Sequence, residues 1–198
     1  MLEIVCASAN AKKVAELQEI LHSLGVELLP RPSALADTEE TALTLVGNAQ
    51  LKAQAVMEFT GQTALSDDTG LEVDALGGAP GVHTARYAGE LATAVENNQK
   101  LLNQLRDFPL RDQRSARFRT VICVLRPDGR QHIAEGVVEG WIANQMRGQD
   151  GFGYDPLFIP RDGDGRTFAE MTAAEKHAIS HRGRALRSLF ETWPHDFS

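Results

Sequence analysis

Two adjacent carboxylates, Asp67 and Asp68, stand in the segment Ser66–Gly70 and are the residues best suited to chemistry. Like charges repel, so the pair is costly unless a cation, hydrogen bonds or water offset the repulsion. Neighbouring side chains of a strand point to opposite faces, so the chain must turn if both carboxylates are to reach one metal ion. Gly70 permits such a turn. The alternative is an Asp-rich turn in solvent, which is common in proteins.

A second group of polar side chains follows the first predicted strand, Leu2–Ala7, and comprises Ser8, Asn10, Lys12 and Lys13. A helix N-terminus exposes N–H groups and the positive end of the helix dipole, so these residues predict an anion cradle. The alternative is that Ser8 or Asn10 only caps the helix and that both lysines are solvated. The helix is predicted from apolar residues at helical spacing and from a glycine stop, namely Val14, Leu17, Ile20, Leu21, Leu24 and Gly25.

Glu40 belongs to a group of acidic residues that precede the long helix predicted over Leu43–Thr60. Acidic residues ahead of a helix suit its dipole, which is the simple explanation. The functional hypothesis is that one of them is a second carboxylate for a cation. Within the helix, Asn48 and Lys52 share a face at i and i+4, and the spacing predicts that Lys52 reaches a phosphate.

The segment Gly151–Pro156 places aromatic residues among glycines, a pattern that suits neither a helix nor a regular strand. One interpretation is a glycine-rich loop with a single aromatic side chain in the core. The other is that Phe152 is exposed beside Asp155 and binds a nucleobase by stacking and hydrogen bonding.

Strand and helix signals alternate along the chain that carries these groups, and its 198 residues fit one large domain or one domain with two lobes. A short strand is predicted over Val26–Leu29, and a helix over Ala94–Leu105. Two long strands, Ala116–Leu125 and Gln131–Ile142, are predicted to form an antiparallel pair around a Pro-Asp-Gly turn. Near the end of the chain, Thr172 and Glu175 form a capping box, the segment 178–183 interrupts the helix, and an apolar stripe follows.

The composition narrows the class of protein. A net charge of -7 argues against a general binder of nucleic acid or of anionic membranes, although it leaves room for a small anionic ligand in a local basic pocket. Cys6 and Cys123 are the two cysteines, both in apolar runs, which predicts buried thiols, no zinc site and a reducing compartment. We find neither a signal-peptide pattern nor an apolar run that approaches the roughly 20 residues of a membrane span, so a cytoplasmic location is expected.

Taken in order, these motifs closely resemble the inosine/xanthosine triphosphate pyrophosphatase family, the house-cleaning pyrophosphatases of non-canonical purine nucleotides. Each motif alone is weak, but together they extend from the first strand to the last helix. The motifs are Ser8-x-Asn10-x-x-Lys13, Glu39-Glu40-Thr41, Ser66-Asp67-Asp68-Thr69-Gly70-Leu71, Ala75-Leu76-Gly77-Gly78-Ala79-Pro80-Gly81, Gly151-Phe152-Gly153-Tyr154-Asp155-Pro156 and Ala178-Ile179-Ser180-His181-Arg182.

The resemblance implies an α/β fold over residues 1–198, with an elongated mixed β-sheet flanked by helices in two lobes and the active site in the cleft between them. It implies a homodimer that hydrolyses ITP, dITP and XTP to the monophosphate and pyrophosphate with Mg²⁺. Asp68 would be the general base, and Glu40 and Asp68 would hold the metal. The remaining expected substrate-binding residues are Ser8, Ala9, Asn10, Ala11, Lys12 and Lys13 for the phosphates, and Thr69, Phe152, Gly153, Tyr154, Asp155, Lys176, His181 and Arg182 for the base and sugar.

Arg182 and the loop N–H groups are hydrogen-bond donors, so the resemblance leads us to expect that they favour a 6-oxo purine and reject a 6-amino purine. Two rival functions remain at this level. One is a pyrophosphatase of the same fold that acts on modified pyrimidine or 7-methylguanosine nucleotides; the long Phe152–Asp155 loop favours the purine alternative. The other is a nucleotide-binding protein without catalysis, which gains little from carboxylates that face a polyphosphate.

Overall fold

The computed structural model describes residues 2–23 and 25–193, and within them the chain forms an α/β fold of seven strands and five α-helices. The strands are β1 Leu2–Cys6, β2 Val26–Leu29, β3 Ala64–Val73, β4 Pro80–Gly81, β5 Ser115–Leu125, β6 Gln131–Ile142 and β7 Phe158–Pro160. The helices are α1 Ala11–Ser23, α2 Leu45–Thr60, α3 Ala94–Gln104, α4 Ala173–Ile179 and α5 His181–Glu191. No helix within the described ranges is long and apolar enough to cross a membrane.

The strands form one mixed sheet in the order β2-β1-β3-β5-β6-β7, and β4 pairs with β3 outside that path. β1 is parallel to β2 and to β3, whereas β3 with β4 and β6 with β7 are antiparallel. The predicted hairpin turn between β5 and β6 is confirmed by backbone hydrogen bonds between Arg126 and Arg130 and from Gly129 to Arg126, each 2.9 Å long.

The chain forms two compact units. The first contains the residues up to Asp68, Thr120–Gly136 and the residues from Arg182 onward. The second contains Thr69–Arg119 and Val137–His181. That the chain is a single two-lobed domain stays a prediction.

The core of the first unit forms where α1 and α5 bury their apolar faces against strands. Leu17 and Leu21 of α1 and Leu189 of α5 are fully buried in one cluster with Ile4 and Cys6. This confirms the apolar stripe predicted for α1 and the burial of Cys6, whereas Leu24 lies outside the described residues. Burial of several such side chains stabilises the unit by roughly 1.5–3 kcal/mol for each fully buried aliphatic side chain.

The core of the second unit is aromatic. Phe118 of β5 lies 4.7 Å from Phe158 of β7, and Phe158 lies 5.2 Å from Phe168, measured between ring centroids. Leu101 and Leu105 are fully buried in the same cluster. The sequence predicts that Val95, Leu101, Leu102 and Leu105 face inward. Leu101 and Leu105 confirm this, whereas Val95 is 63% exposed and that part of the prediction was wrong.

Local signals explain where the long helix begins. α2 begins at Leu45 rather than at the predicted Leu43, because Thr44 has an extended backbone and its side chain accepts a hydrogen bond from the Gly47 N–H. At the other end, Gly61 adopts a left-handed conformation with φ of 65° and terminates the helix as predicted.

One prediction was wrong. The chain does not turn at Gly70, because β3 is a single strand of 10 residues that runs through the whole Asp-Asp segment. Hydrogen bonding within a sheet holds the backbone extended, and glycine accepts an extended conformation as readily as a turn. Asp67 and Asp68 therefore project to opposite faces of the strand.

Candidate active site

Asp67 lies at the centre of a buried ion cluster in the first unit. Its Oδ2 atom lies 3.0 Å from Arg182 Nη2 and 3.3 Å from Lys13 Nζ. Arg182, from α5, also donates to Glu16 of α1 through Nη1. The Asp67 carboxylate and the Arg182 guanidinium are almost completely buried. Burial by itself raises the pKa of Asp67, but Lys13 and Arg182 outweigh it and hold that pKa well below its usual range, so the carboxylate stays ionised.

Asp68 binds a different cation. Its Oδ1 atom accepts a hydrogen bond from Lys52 Nζ at 2.8 Å, and the same ammonium lies 3.0 Å from Glu40 Oε1. Burial raises the pKa of Asp68 above its usual value, although Lys52 opposes that shift. A carboxylate with a raised pKa is better matched to accepting a proton near neutral pH.

The ammonium of Lys52 brings Glu40 and Asp68 together, which makes the pair a candidate for holding a divalent cation. The described part of the chain contains no group of three or more His, Cys, Asp and Glu side chains arranged around a metal position. Mg²⁺ usually takes only one or two protein carboxylates and completes its shell with water and substrate phosphates. The two carboxylates therefore fit Mg²⁺ and do not resemble a structural zinc site.

The N-terminus of α1 is capped by a side chain. Asn10 Oδ1 accepts from the N–H groups of Lys12 and Lys13 at 3.1 and 3.3 Å, and Ser8 Oγ accepts from the Asn10 N–H at 3.3 Å. The capping alternative is thus confirmed for Asn10, but the accompanying idea that both lysines are only solvated is wrong for Lys13, which pairs with Asp67. Ser8 is half-buried, whereas Ala9, Asn10, Ala11 and Lys12 are exposed.

In the second unit, Asp155 organises the glycine-rich loop. Its Oδ2 atom accepts from Lys176 Nζ at 2.7 Å and from the Phe152 N–H at 2.8 Å. Both charged residues are at most 4% exposed, so the ion pair is shielded from water. Gly151 has a φ of 74°, and a Cβ atom there would lie 2.2 Å from Asp155 Oδ2. The carboxylate occupies the space that any side chain at residue 151 would need.

The two aromatic residues of the loop differ in their surroundings. Phe152 is half-buried, and the Lys176 ammonium lies 4.8 Å from the centroid of its ring. Tyr154 belongs to the aromatic core, where its hydroxyl donates to the Thr84 carbonyl at 3.0 Å. Burial raises the pKa of Tyr154. The loop thus has one aromatic side chain in the core, as the first interpretation expects, and one that is half-buried. That Phe152 binds a nucleobase stays a prediction.

His181 and Arg182 are consecutive, yet their side chains have different partners. The His181 ring stacks on Phe118 at 4.6 Å between centroids, in the second unit. Arg182 lies in the first unit with Asp67 and Glu16. Its donors are directed to carboxylates there, so its expected role as a reader of the purine edge stays a prediction. Thr69 follows Asp68 on β3 and is half-buried.

Two contributors to these clusters were not anticipated from the sequence. Glu16 supports Arg182, and its spacing of three residues from Lys13 on α1 was a usable signal. Asn98 is 2% exposed and its Nδ2 donates to the Gly153 carbonyl at 2.9 Å. An amide three residues before Leu101 on the apolar face of α3 signals a buried hydrogen bond of this kind.

Comparisons of sequence and of structure with known proteins agree on one family. The Ham1 family profile matches residues 4–192. A protein named dITP/XTP pyrophosphatase from Desulforamulus reducens is 47% identical over 192 residues, which covers 96% of this chain and 94% of that protein. A solved HAM1 protein from Coxiella burnetii is 46% identical, with a TM-score of 0.85 and 96% of each chain covered. A solved dITP/XTP pyrophosphatase from Mycobacterium abscessus is 43% identical, with a TM-score of 0.74 and coverage of 95% and 97%.

Proposed function

The chain belongs to the Ham1 family, and from that premise we propose that it hydrolyses ITP, dITP and XTP to the nucleoside monophosphate and pyrophosphate. The observation that carries the proposal is that the carboxylates of Asp67 and Asp68 pair with different cations. Asp67 is ionised against Lys13 and Arg182, whereas Asp68 shares Lys52 with Glu40. This combination offers cations for a polyphosphate and a carboxylate for a proton, as a hydrolase of this class needs.

The phosphates bind at the N-terminus of α1. The Ser8–Lys13 segment supplies hydroxyl and backbone groups beside the positive end of the helix, and Lys13 adds a fixed ammonium. The contact between Lys13 Nζ and Asp67 Oδ2 supports this role, because a buried acceptor holds the ammonium in one place. A lysine that is already oriented loses less side-chain entropy when it binds a phosphate.

Asp68 acts as the general base. Release of pyrophosphate requires that the anhydride bond between the α- and β-phosphates breaks while water adds to phosphorus, and Asp68 accepts the proton of that water. Glu40 and Asp68 would hold Mg²⁺, which neutralises phosphate charge and acidifies water when bound. Lys52 keeps these two carboxylates close together and offers a charge to a phosphate.

The base binds to the loop of the second unit. Phe152 offers a ring for stacking, and the Asp155–Lys176 pair fixes the loop beside it. Lys176 Nζ and the loop N–H groups are donors that suit a 6-oxo group and leave a 6-amino group unpaired. His181 and Thr69 complete the proposed set for the base and sugar. That one nucleotide uses both sets, in a cleft between two lobes, stays a prediction.

The decisive experiment measures pyrophosphate release from a panel of triphosphates with and without Mg²⁺. We expect kcat/KM for ITP, dITP and XTP to exceed that for ATP by at least about a hundredfold, because a site built from donors leaves the 6-amino group of adenine unpaired. If pyrophosphate is released fastest from a modified pyrimidine triphosphate or from 7-methyl-GTP, the protein is a pyrophosphatase of those nucleotides and the proposed substrates are wrong. If the protein binds nucleotides but releases pyrophosphate from none of them, it is a nucleotide-binding protein without catalysis.

The homodimer and the cytoplasmic location also stay predictions. Sedimentation velocity over a range of protein concentrations tests the first, and a species at the mass of one chain throughout would contradict it. Activity in the soluble fraction of the native cell tests the second.

A further inference from the structure

The second unit contains a cationic cavity built from residues that the proposed hydrolysis does not use. The cavity has a volume of about 340 Å³. Its lining includes three arginines, an aromatic ring, an amide and an aliphatic floor, namely Arg111, Arg114, Arg147, Trp141, Asn144 and Ile159. Trp141 and Ile159 are paired residues of β6 and β7, so the cavity rests on the sheet.

Arg114 is the residue that makes this cavity unusual. It is only 4% exposed, and its Nη1 donates to Asn144. Its Nε–H has no acceptor among the residues that the structure describes. Burial lowers the pKa of Arg114, and no carboxylate among the described residues offsets that effect. A buried cation without a counter-charge is destabilising, so proteins normally pair one with an anion.

The neighbouring arginines add positive charge and little compensation. The Arg111 guanidinium lies 3.3 Å from the centroid of the Trp141 ring, a cation–π contact that involves no anion. Arg147 Nη2 donates to the Gly165 carbonyl at 2.9 Å and lies 3.4 Å from Glu170 Oε2, while its Nε has no acceptor in the described part of the chain. Among the described residues, the three guanidinium groups of this cavity share a single contact with a carboxylate, that between Arg147 and Glu170.

We propose that this cavity binds a small phosphate-class anion, held by Arg111, Arg114 and Arg147. Guanidinium groups match the tetrahedral oxygens of phosphate through paired N–H donors, which makes arginine the usual residue for such anions. Phosphate carries between one and two negative charges at neutral pH, so it offsets the excess of positive charge better than a single carboxylate does. A volume of about 340 Å³ holds about ten waters at roughly 30 Å³ each, enough for a phosphate group and its remaining hydration.

Trp141 lines the cavity, so its fluorescence can report the binding of an anion there. The sequence contains one other tryptophan, Trp193. In Trp193→Phe, Trp141 is the only one left. Inorganic phosphate and pyrophosphate are titrated into this protein at constant ionic strength without divalent cations, while Trp141 emission is recorded and calorimetry gives the Kd. We expect a saturable change in emission with the same Kd by both methods. A response that grows linearly, or one that NaCl reproduces, would overturn the proposal.

Matched variants separate this cavity from other cationic sites. Arg114→Gln should raise the Kd roughly tenfold or more, because it removes a charged donor from the cavity. Arg106→Gln removes the same charge from an arginine whose side chain is 79% exposed and should leave the Kd unchanged. Equal weakening by both variants would attribute the effect to general electrostatics and overturn the proposal.

Two further variants keep the result interpretable. Lys13→Ala should leave the Trp141 response intact; its disappearance would mean that the anion binds at the α1 N-terminus instead. If Arg114→Gln does not fold, as judged by circular dichroism, Arg111→Gln replaces it, because Arg111 is exposed and its loss does not open the core. An unchanged Kd in Arg111→Gln would then overturn the proposal.

Discussion

Asp67 and Asp68 are consecutive residues of β3, yet their carboxylates bind cations from different helices. Asp67 Oδ2 lies 3.3 Å from Lys13 Nζ of α1, and Asp68 Oδ1 lies 2.8 Å from Lys52 Nζ of α2. Burial raises the pKa of both carboxyl groups, and only at Asp67 do the cations reverse the shift. One carboxylate is therefore a fixed counter-charge, and its neighbour is the better proton acceptor.

Asp68→Asn should lower kcat for ITP by on the order of a hundredfold or more, because the amide cannot accept the proton of the attacking water. Initial rates of pyrophosphate release measure this effect, and a thermal melt checks that the fold persists. Asp74→Asn is the control, since Asp74 is an exposed carboxylate with a Ser115 partner that no proposed step uses. Near wild-type turnover in Asp68→Asn would remove Asp68 from the mechanism.

Arg182→Gln should lower the free energy of unfolding by about 3–5 kcal/mol, because Asp67 and Glu16 lose a buried guanidinium. Urea denaturation measures the change. Arg182→Lys should recover part of the loss, since it restores the charge without the planar fork. As a control, Arg166→Gln removes an arginine whose side chain is 39% exposed and that also contacts two carboxylates, and it should have little effect. Equal losses at residues 166 and 182 would contradict a special role for the buried cluster.

Gly151→Ala and Gly153→Ala form a matched pair in the base-binding loop. Both residues have positive φ, at 74° and 60°, so both variants suffer backbone strain. Only at residue 151 does the new Cβ collide with Asp155 Oδ2, at 2.2 Å, whereas residue 153 has open space. We expect Gly151→Ala to raise KM for ITP about tenfold more than Gly153→Ala does, since it displaces the group that holds Phe152. Similar KM values in the two variants would show that strain alone matters.

The two buried thiols predict a loss of stability at alkaline pH. Burial raises the pKa of Cys6 and of Cys123 from 9.0 to about 11. Between these values the unfolded chain loses thiol protons that the folded chain keeps, so the free energy of unfolding falls as pH rises. Urea denaturation at pH 8 and pH 10 measures the slope, and the Cys6→Ala, Cys123→Ala double variant should show a shallower one. Identical slopes would rule out the thiols as its source.

Local patterns predicted the elements well. The bounds of β2 and β6, the capping box of Thr172 and Glu175, and the break between α4 and α5 depend on residues close in the chain, and the structure confirms each. The continuity of β3 was not predictable in the same way, because Gly70 is compatible with a turn and with a strand. Pairing with other strands, which the local sequence does not encode, selects the strand.

The sequence indicated candidate residues for the site but not the contacts between them. Lys13 and Asp67 were noticed from local chemistry and Arg182 from the family resemblance, but their mutual pairing joins residues up to 169 positions apart (182 − 13). Periodicity does not apply inside an irregular loop either, so no pattern distinguished core Tyr154 from surface Phe152. Long-range packing decides both, and a single sequence read locally contains no record of it.

Because the backbone passes from one compact unit to the other after Asp68, Arg119, Gly136 and His181, neither unit is an uninterrupted piece of chain. During synthesis, the first unit cannot complete its core until α5 has left the ribosome, since Leu186 and Leu189 belong to that core. In the nascent chain, the early strands and α1 therefore remain incompletely packed while more than a hundred further residues are added. Folding of this protein is consequently an event of the whole chain, with contacts of high sequence separation that slow it.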